Sequence, residues 1–193
     1  MIVDHDKKFV FIHIPKTGGT SVSTFLGFGR RPANPHRVEP ETPKLYADYL
    51  RFCFVRNPWA RLFSSYNYAQ KMAAQGVIKG DFVRQLCQDR PDLSFEEFVV
   101  DFLSEKVVRG SGHFRPQMRW ITQSAPQFIG RVETMESDTA FLCRALNVPL
   151  APMDHKNRSG PGHYLEVYTP AMIDKVKALY RVDVSSLGYC FED

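Results

Sequence analysis

Residues Lys8 to Ile14 read KFVFIHI and run without a break into PKTGGTS and then a helix-like SVSTFL. A continuous β-branched and aromatic run of this length is the pattern of a strand buried on both faces, which is how parallel sheets are built. Pro15 ends the run, and the glycine pair behind it predicts a tight turn into a helix. Two further segments repeat the strand pattern, Arg51 to Val55 (RFCFV) and Gln127 to Val132 (QFIGRV). Helical segments alternate with them. Asn57 reads as an N-cap with Pro58 at the first helical position, and that helix is expected to run to about Ala74. Ser94 followed by Glu97 is a capping-box pattern ahead of FEEFVVDFL. Glu136 to Leu146 and the stretch opened by Thr169-Pro170 complete the set, the latter with Ile173, Val176, Leu179 and Tyr180 on one face. Gly27 to Pro43, rich in Gly, Pro and Arg, reads as loop. Strands alternating with helices over 193 residues predict one α/β domain around a mostly parallel sheet.

The turn after the first strand is built for a negative charge. Gly18 and Gly19 let the backbone direct its N–H groups inward, Lys16 adds a full positive charge, and Thr17, Thr20 and Ser21 offer hydroxyls. The order differs from a Walker A loop, GxxxxGK[ST], in which lysine follows the glycines. A glycine turn with a surface lysine is the plain alternative. A second anion site is expected where RFCFV ends at Arg56 and RNPWARLFSSY begins. At 100° per residue, Trp59, Leu62, Phe63 and Tyr66 form an apolar stripe, and Arg61, Ser64 and Tyr68 fall on the other side. Arg56, a planar fork of donors, and Ser64 suit a phosphate. An ordinary carboxylate pairing for Arg56 is the competing reading, and a structural ion pair is expected of Arg61.

FIHIPKTGGTS and FVRNPWARLFSSY resemble the two nucleotide-binding motifs of sulfotransferases that use 3′-phosphoadenosine-5′-phosphosulfate (PAPS). They are most similar to the branch holding carbohydrate sulfotransferases, heparan 2-O-sulfotransferase and short bacterial relatives. HFRPQMRWI from His113, FIGRVETMESD from Phe128, HKNRS from His155 and LGYCF near the end extend the resemblance over nearly the whole chain. The resemblance implies that Lys16, Thr17, Gly18, Gly19, Thr20 and Ser21 hold the 5′-phosphosulfate and that Arg56 and Ser64 hold the 3′-phosphate. It also implies that Arg158 and Ser159 close over the nucleotide, and that the product is 3′,5′-adenosine bisphosphate. The fold implied is that of the P-loop-containing nucleotide hydrolases, three layers with a central mostly parallel sheet flanked by helices, as a single sulfotransferase domain over residues 1–193.

Sulfuryl transfer needs an activated acceptor, in-line geometry and charge relief on the leaving phosphate. Lys16 is the expected source of that relief, and no metal is expected. His36 is the first choice for general base, because relatives carry a catalytic histidine in the corresponding loop and an imidazole titrates near neutrality. His113 is the second choice, and His13 reads as structural. Glu133 and Glu136 are open between orienting the acceptor or base and plain capping. Lys156 is open between meeting an acidic acceptor and lying on solvent. Tyr66, Tyr68 and Trp120 are open between stacking on an acceptor ring and packing.

The acceptor class expected is a glycan or a small hydroxylated metabolite. A net charge of +4 is too small to argue for nucleic acid, and no apolar run approaches the roughly 20 residues that span a bilayer. With no signal-peptide pattern at Met1 to Lys8, a cytoplasmic enzyme is expected, although a trimmed secretory-pathway protein would read the same. Cys53, Cys87, Cys143 and Cys190 are spaced as isolated thiols. Two other functions compete: a P-loop nucleotide kinase or phosphotransferase, which would need ATP and Mg²⁺, and a nucleotide-binding module without turnover.

Overall fold

The computed structural model describes residues 1–27, 36–78, 81–149 and 163–193. In chain order the elements are β1 (Ile2–Asp4), β2 (Phe9–Ile12), α1 (Gly19–Phe25), α2 (Thr42–Leu45), β3 (Leu50–Val55) and α3 (Pro58–Ala74). They continue with α4 (Phe82–Asp89), α5 (Phe95–Glu97), a π turn at Phe98–Phe102, α6 (Glu105–Gly110) and α7 (Met118–Ser124). β4 (Phe128–Arg131), α8 (Met135–Leu146), a 3-10 turn at His163–Glu166, α9 (Pro170–Leu179) and α10 (Arg181–Leu187) follow. The chain forms two compact units, Met1–Arg56 with Gln117–Arg158, and Asn57–Pro116 with Ser159–Asp193.

The first unit holds a four-stranded sheet in the order β1-β2-β3-β4. β2 pairs with β3 and β3 with β4 in parallel, with Ile12 opposite Cys53 and Cys53 opposite Ile129. β1 is an antiparallel edge, placing Ile2 opposite Phe11. The fold class is thus α/β, with a mostly parallel sheet flanked by helices. Every residue of β2 is fully buried, and β3 is buried from Arg51 onward. This explains why both read as unbroken apolar runs rather than alternating ones. On one face Phe9, Phe11, Phe52 and Phe54 pack with Val22 and Leu26 around α1 and with Met135 and Leu142 of α8. The Phe11 and Phe52 rings stack at 5.2 Å.

In the second unit, Asn57 starts α3 as the sequence predicts. Its Oδ1 accepts from the N–H groups of Trp59 and Ala60 at 3.0 and 3.3 Å, and Pro58 occupies the first turn where no N–H is required. The Nδ2 of the same side chain donates to the carbonyl of Cys190 at 2.8 Å. The capping box at Ser94 and Glu97 forms with both of its hydrogen bonds. Burial spreads round α3 beyond the expected stripe, because Arg61 is buried along with Trp59, Leu62, Phe63 and Tyr66. All four cysteines are free thiols. Among the described residues, no helix is long and apolar enough to cross a membrane.

Candidate active site

The carboxyl ends of the parallel strands β2 and β3 lie side by side, and each carries one of the two expected anion motifs. In open α/β sheets this edge is where ligands bind. β2 leads through His13, Ile14, Pro15, Lys16 and Thr17 into α1. Two residues of this turn are left-handed, Gly18 with φ of 71° and the non-glycine Lys16 with φ of 69°. A left-handed non-glycine residue costs about 1–3 kcal/mol and persists only where its surroundings hold it. Within the turn, the buried hydroxyl of Thr17 donates to the carbonyl of Ile14 at 3.0 Å. The hydroxyl hydrogen of Thr17 therefore closes the turn rather than facing an anion. Thr20 and Ser21 are half-buried in the first turn of α1, where main-chain N–H groups have no partner within a helix. No carboxylate lies between His13 and Ser21. A donor set of main-chain N–H groups, two hydroxyls and an ammonium fits a phosphate or sulfate.

Gly19 is set by close approach. A methyl group there would sit 2.0 Å from both Cδ2 and Nε2 of His13. The imidazole thus lies directly against the α-carbon of Gly19. His13 is buried, stacks on Phe11 at 5.6 Å and 16°, and meets the ring of His36 edge-on at 4.5 Å. That agrees with a structural His13, packed against Gly19 and His36.

His36, half-buried, comes to the same place from the segment following residue 35. Its Nδ1 lies 2.8 Å from the main-chain carbonyl of His13. A carbonyl only accepts, so Nδ1 carries the hydrogen, and in the neutral ring Nε2 holds the lone pair. The carbonyl of His36 accepts from Nε1 of Trp120 at 2.9 Å.

β3 ends in a clamp that sequence reasoning did not find. The buried side chain of Gln117 accepts from the N–H of Arg56 at 2.9 Å and donates to its carbonyl at 2.8 Å. Arg56, the expected second anion residue, is fixed at its main chain by this pair. The residues HFRPQMRWI drew attention as a segment, yet nothing in them indicates which main chain Gln117 and Trp120 reach.

The other expected site residues are distributed as follows. Ser64 is half-buried, two turns into α3 in the second unit. His113, also there, lies 4.9 Å from the ring of Tyr68, and its carbonyl accepts from Ser65 Oγ at 2.9 Å and from Arg61 at 3.2 Å. Burial pulls the guanidinium of Arg61 below its ordinary pKa, while Tyr180 and Asp183 push it back up. Arg61 is thus buried and hydrogen-bonded to a main-chain carbonyl. Tyr66 is buried and donates its hydroxyl to the carbonyl of Leu93, and Trp120 is buried as well, so both pack. Glu133 and Glu136 are exposed, the latter in the first turn of α8. Arg158, Ser159, His155 and Lys156 lie outside the described residues.

A model of the sulfotransferase family matches residues 1–190. The chain belongs to the sulfotransferase family. Among similar proteins is carbohydrate sulfotransferase 14 of Danio rerio, 28% identical over an alignment of 113 residues that covers 52% of this chain and 31% of that protein. Carbohydrate sulfotransferase 12 of Xenopus laevis is 26% identical over an alignment of 168 residues that covers 73% of this sulfotransferase chain and 40% of its relative. An uncharacterized protein of Archaeoglobus fulgidus is 28% identical over 106 residues, 55% of this chain and 74% of that one. The chain thus spans less than half the length of the two carbohydrate sulfotransferases. No solved structure matches it.

Proposed function

We propose that the chain is a PAPS-dependent sulfotransferase, a single domain of the P-loop-containing nucleotide hydrolase type, acting on a hydroxyl of a glycan or small hydroxylated metabolite. The observation that carries this reading is that the two segments bearing the expected anion motifs stand at the ends of adjacent parallel strands, the left-handed Lys16–Gly18 turn after β2 and the clamped Arg56 after β3. In this reading Lys16, Thr17, Gly18, Gly19, Thr20 and Ser21 hold the 5′-phosphosulfate, and Arg56 and Ser64 the 3′-phosphate. Arg158 and Ser159 complete the nucleotide site. The names of the two carbohydrate sulfotransferases support a sugar hydroxyl as acceptor.

PAPS supplies a sulfuryl group on a phosphate leaving group. The chain supplies charge and a proton acceptor. The ammonium of Lys16 offsets the negative charge that grows on the leaving phosphate, and main-chain N–H groups of the turn do the same without having to reorient. Nε2 of His36 takes the hydroxyl proton of the acceptor, which is consistent with Nδ1 being held by His13. General-base catalysis of this kind is worth about 10²–10⁴-fold in rate. His36→Ala is therefore expected to lose sulfate transfer by that factor while its affinity for 3′,5′-adenosine bisphosphate stays within about twofold. A His36→Ala protein that transfers sulfate at the wild-type rate would move the role of base to His113.

A further inference from the structure

We infer that Trp120 is a positioning residue for the base, holding His36 in the tautomer and orientation in which Nε2 receives the proton. The inference rests on His36 being the base. His36 belongs to no helix or strand, so its ring orientation must come from elsewhere. Two hydrogen bonds grip this one residue from different elements: Nδ1 reaches the carbonyl of His13 behind β2, and the carbonyl of His36 receives the indole N–H of Trp120 in α7. The first determines which nitrogen is protonated. The second keeps the main chain where the first can form.

Trp120 can serve as an anchor because α7 is tied to β3 at both ends. At its start, Gln117 clamps the N–H and carbonyl of Arg56. At its end, Nε of Arg51 donates to the carbonyls of Ser124 and Ala125, each at 3.2 Å. The indole in between is buried at 5% exposure, and its one polar atom points at His36. Apolar packing alone would be met by phenylalanine, whereas anchoring requires the N–H. Misplacing a catalytic group by about 1 Å costs on the order of 10²-fold in rate.

The test compares wild type, Trp120→Phe and His36→Ala as the full chain. Imidazole nitrogen NMR in alkaline buffer reads the tautomer of His36, calorimetry reads the affinity for 3′,5′-adenosine bisphosphate, and PAPS-dependent labelling of a panel of sugars and phenols reads turnover. Expected for Trp120→Phe are nucleotide affinity within about twofold, mixing of the two His36 tautomers, and turnover lower by about 10–100-fold. Trp120→Phe with the wild-type tautomer and turnover overturns the inference, as does a wild-type His36 protonated at Nε2. Should the phenylalanine variant not fold, 3-benzothienylalanine at position 120 keeps the fused-ring shape and removes only the N–H, and the same outcomes decide. Failure of the underlying reading is distinct: His36→Ala then keeps its turnover, whatever the tautomer of His36 in the other proteins.

Discussion

Gly19→Ala is the perturbation that the geometry of the site makes most costly. The new methyl would lie 2.0 Å from two ring atoms of His13 and 2.9 Å from a third. Carbon contacts settle at about 3.5–4.0 Å, so ring and methyl must separate by roughly 1.5 Å. The ring has nowhere to go. It is 4% exposed, with Phe11 stacked against it and His36 at its edge 4.5 Å away. Overpacking of a well-packed core costs about 1–3 kcal/mol, and a displacement this large belongs at the upper end. At about 2–4 °C per kcal/mol for a chain of this size, Tm should fall by about 6–12 °C. Gly18→Ala is the internal control. Its methyl comes closest to the terminal Cε of Met135, at 2.5 Å, the far end of a flexible side chain that can swing aside, with Sδ of Met135 at 3.4 Å and Val132 at 3.9 Å. The remaining cost is the left-handed backbone at φ of 71°, about 1–2 kcal/mol and hence about 2–8 °C. Thermal unfolding by circular dichroism measures both. A Gly19→Ala protein that melts with wild type, or above Gly18→Ala, would refute the account of how His13 is seated.

Gln117→Leu removes both partners of the Arg56 main chain. At about 1–3 kcal/mol for each group left unsatisfied, the expected loss is about 2–6 kcal/mol in urea unfolding, together with weaker binding of 3′,5′-adenosine bisphosphate. A loss under about 0.5 kcal/mol would mean that the clamp is incidental. Glu97 is held down to about 2 by hydrogen bonds from the Ser94 main chain and hydroxyl, then by Arg90. Its folded pKa lies below its unfolded one, so its stabilisation is full above the unfolded value near 4.5 and disappears as pH falls toward 2. Glu97→Gln should accordingly flatten the acid limb of the stability curve between those pH values, and an unchanged limb would contradict the capping box as a source of stability.

Much of this was legible in the sequence, for local reasons. β2 and β3 are announced by apolar runs, and β4 by the less apolar QFIGRV. The start of α3 is encoded by adjacent Asn57 and Pro58, and the box at Ser94 by a fixed spacing. β1 was not expected, because three residues that include Asp4 make no pattern, and Ile2 becomes a core residue only through its pairing opposite Phe11. The helical wheel put Arg61 opposite the apolar stripe, but a wheel sees one helix and cannot show that neighbours cover the far side too. In the site, the glycine turn and its lysine are readable because they are contiguous. The inward turn of the Thr17 hydroxyl, the grip of Gln117 on Arg56, 61 residues away, and that of Trp120 on His36, 84 residues away, are tertiary facts. No spacing rule encodes them.

The account stands most directly on a titration of the full chain with 3′,5′-adenosine bisphosphate and, in parallel, with ATP–Mg²⁺. Binding of the bisphosphate in preference to ATP–Mg²⁺, weakened at least about tenfold by Lys16→Ala and again by Arg56→Ala, is the predicted result; loss of one charge-assisted contact is worth about 1.5–3 kcal/mol. Preference for ATP–Mg²⁺, or a bisphosphate affinity indifferent to both substitutions, would contradict it.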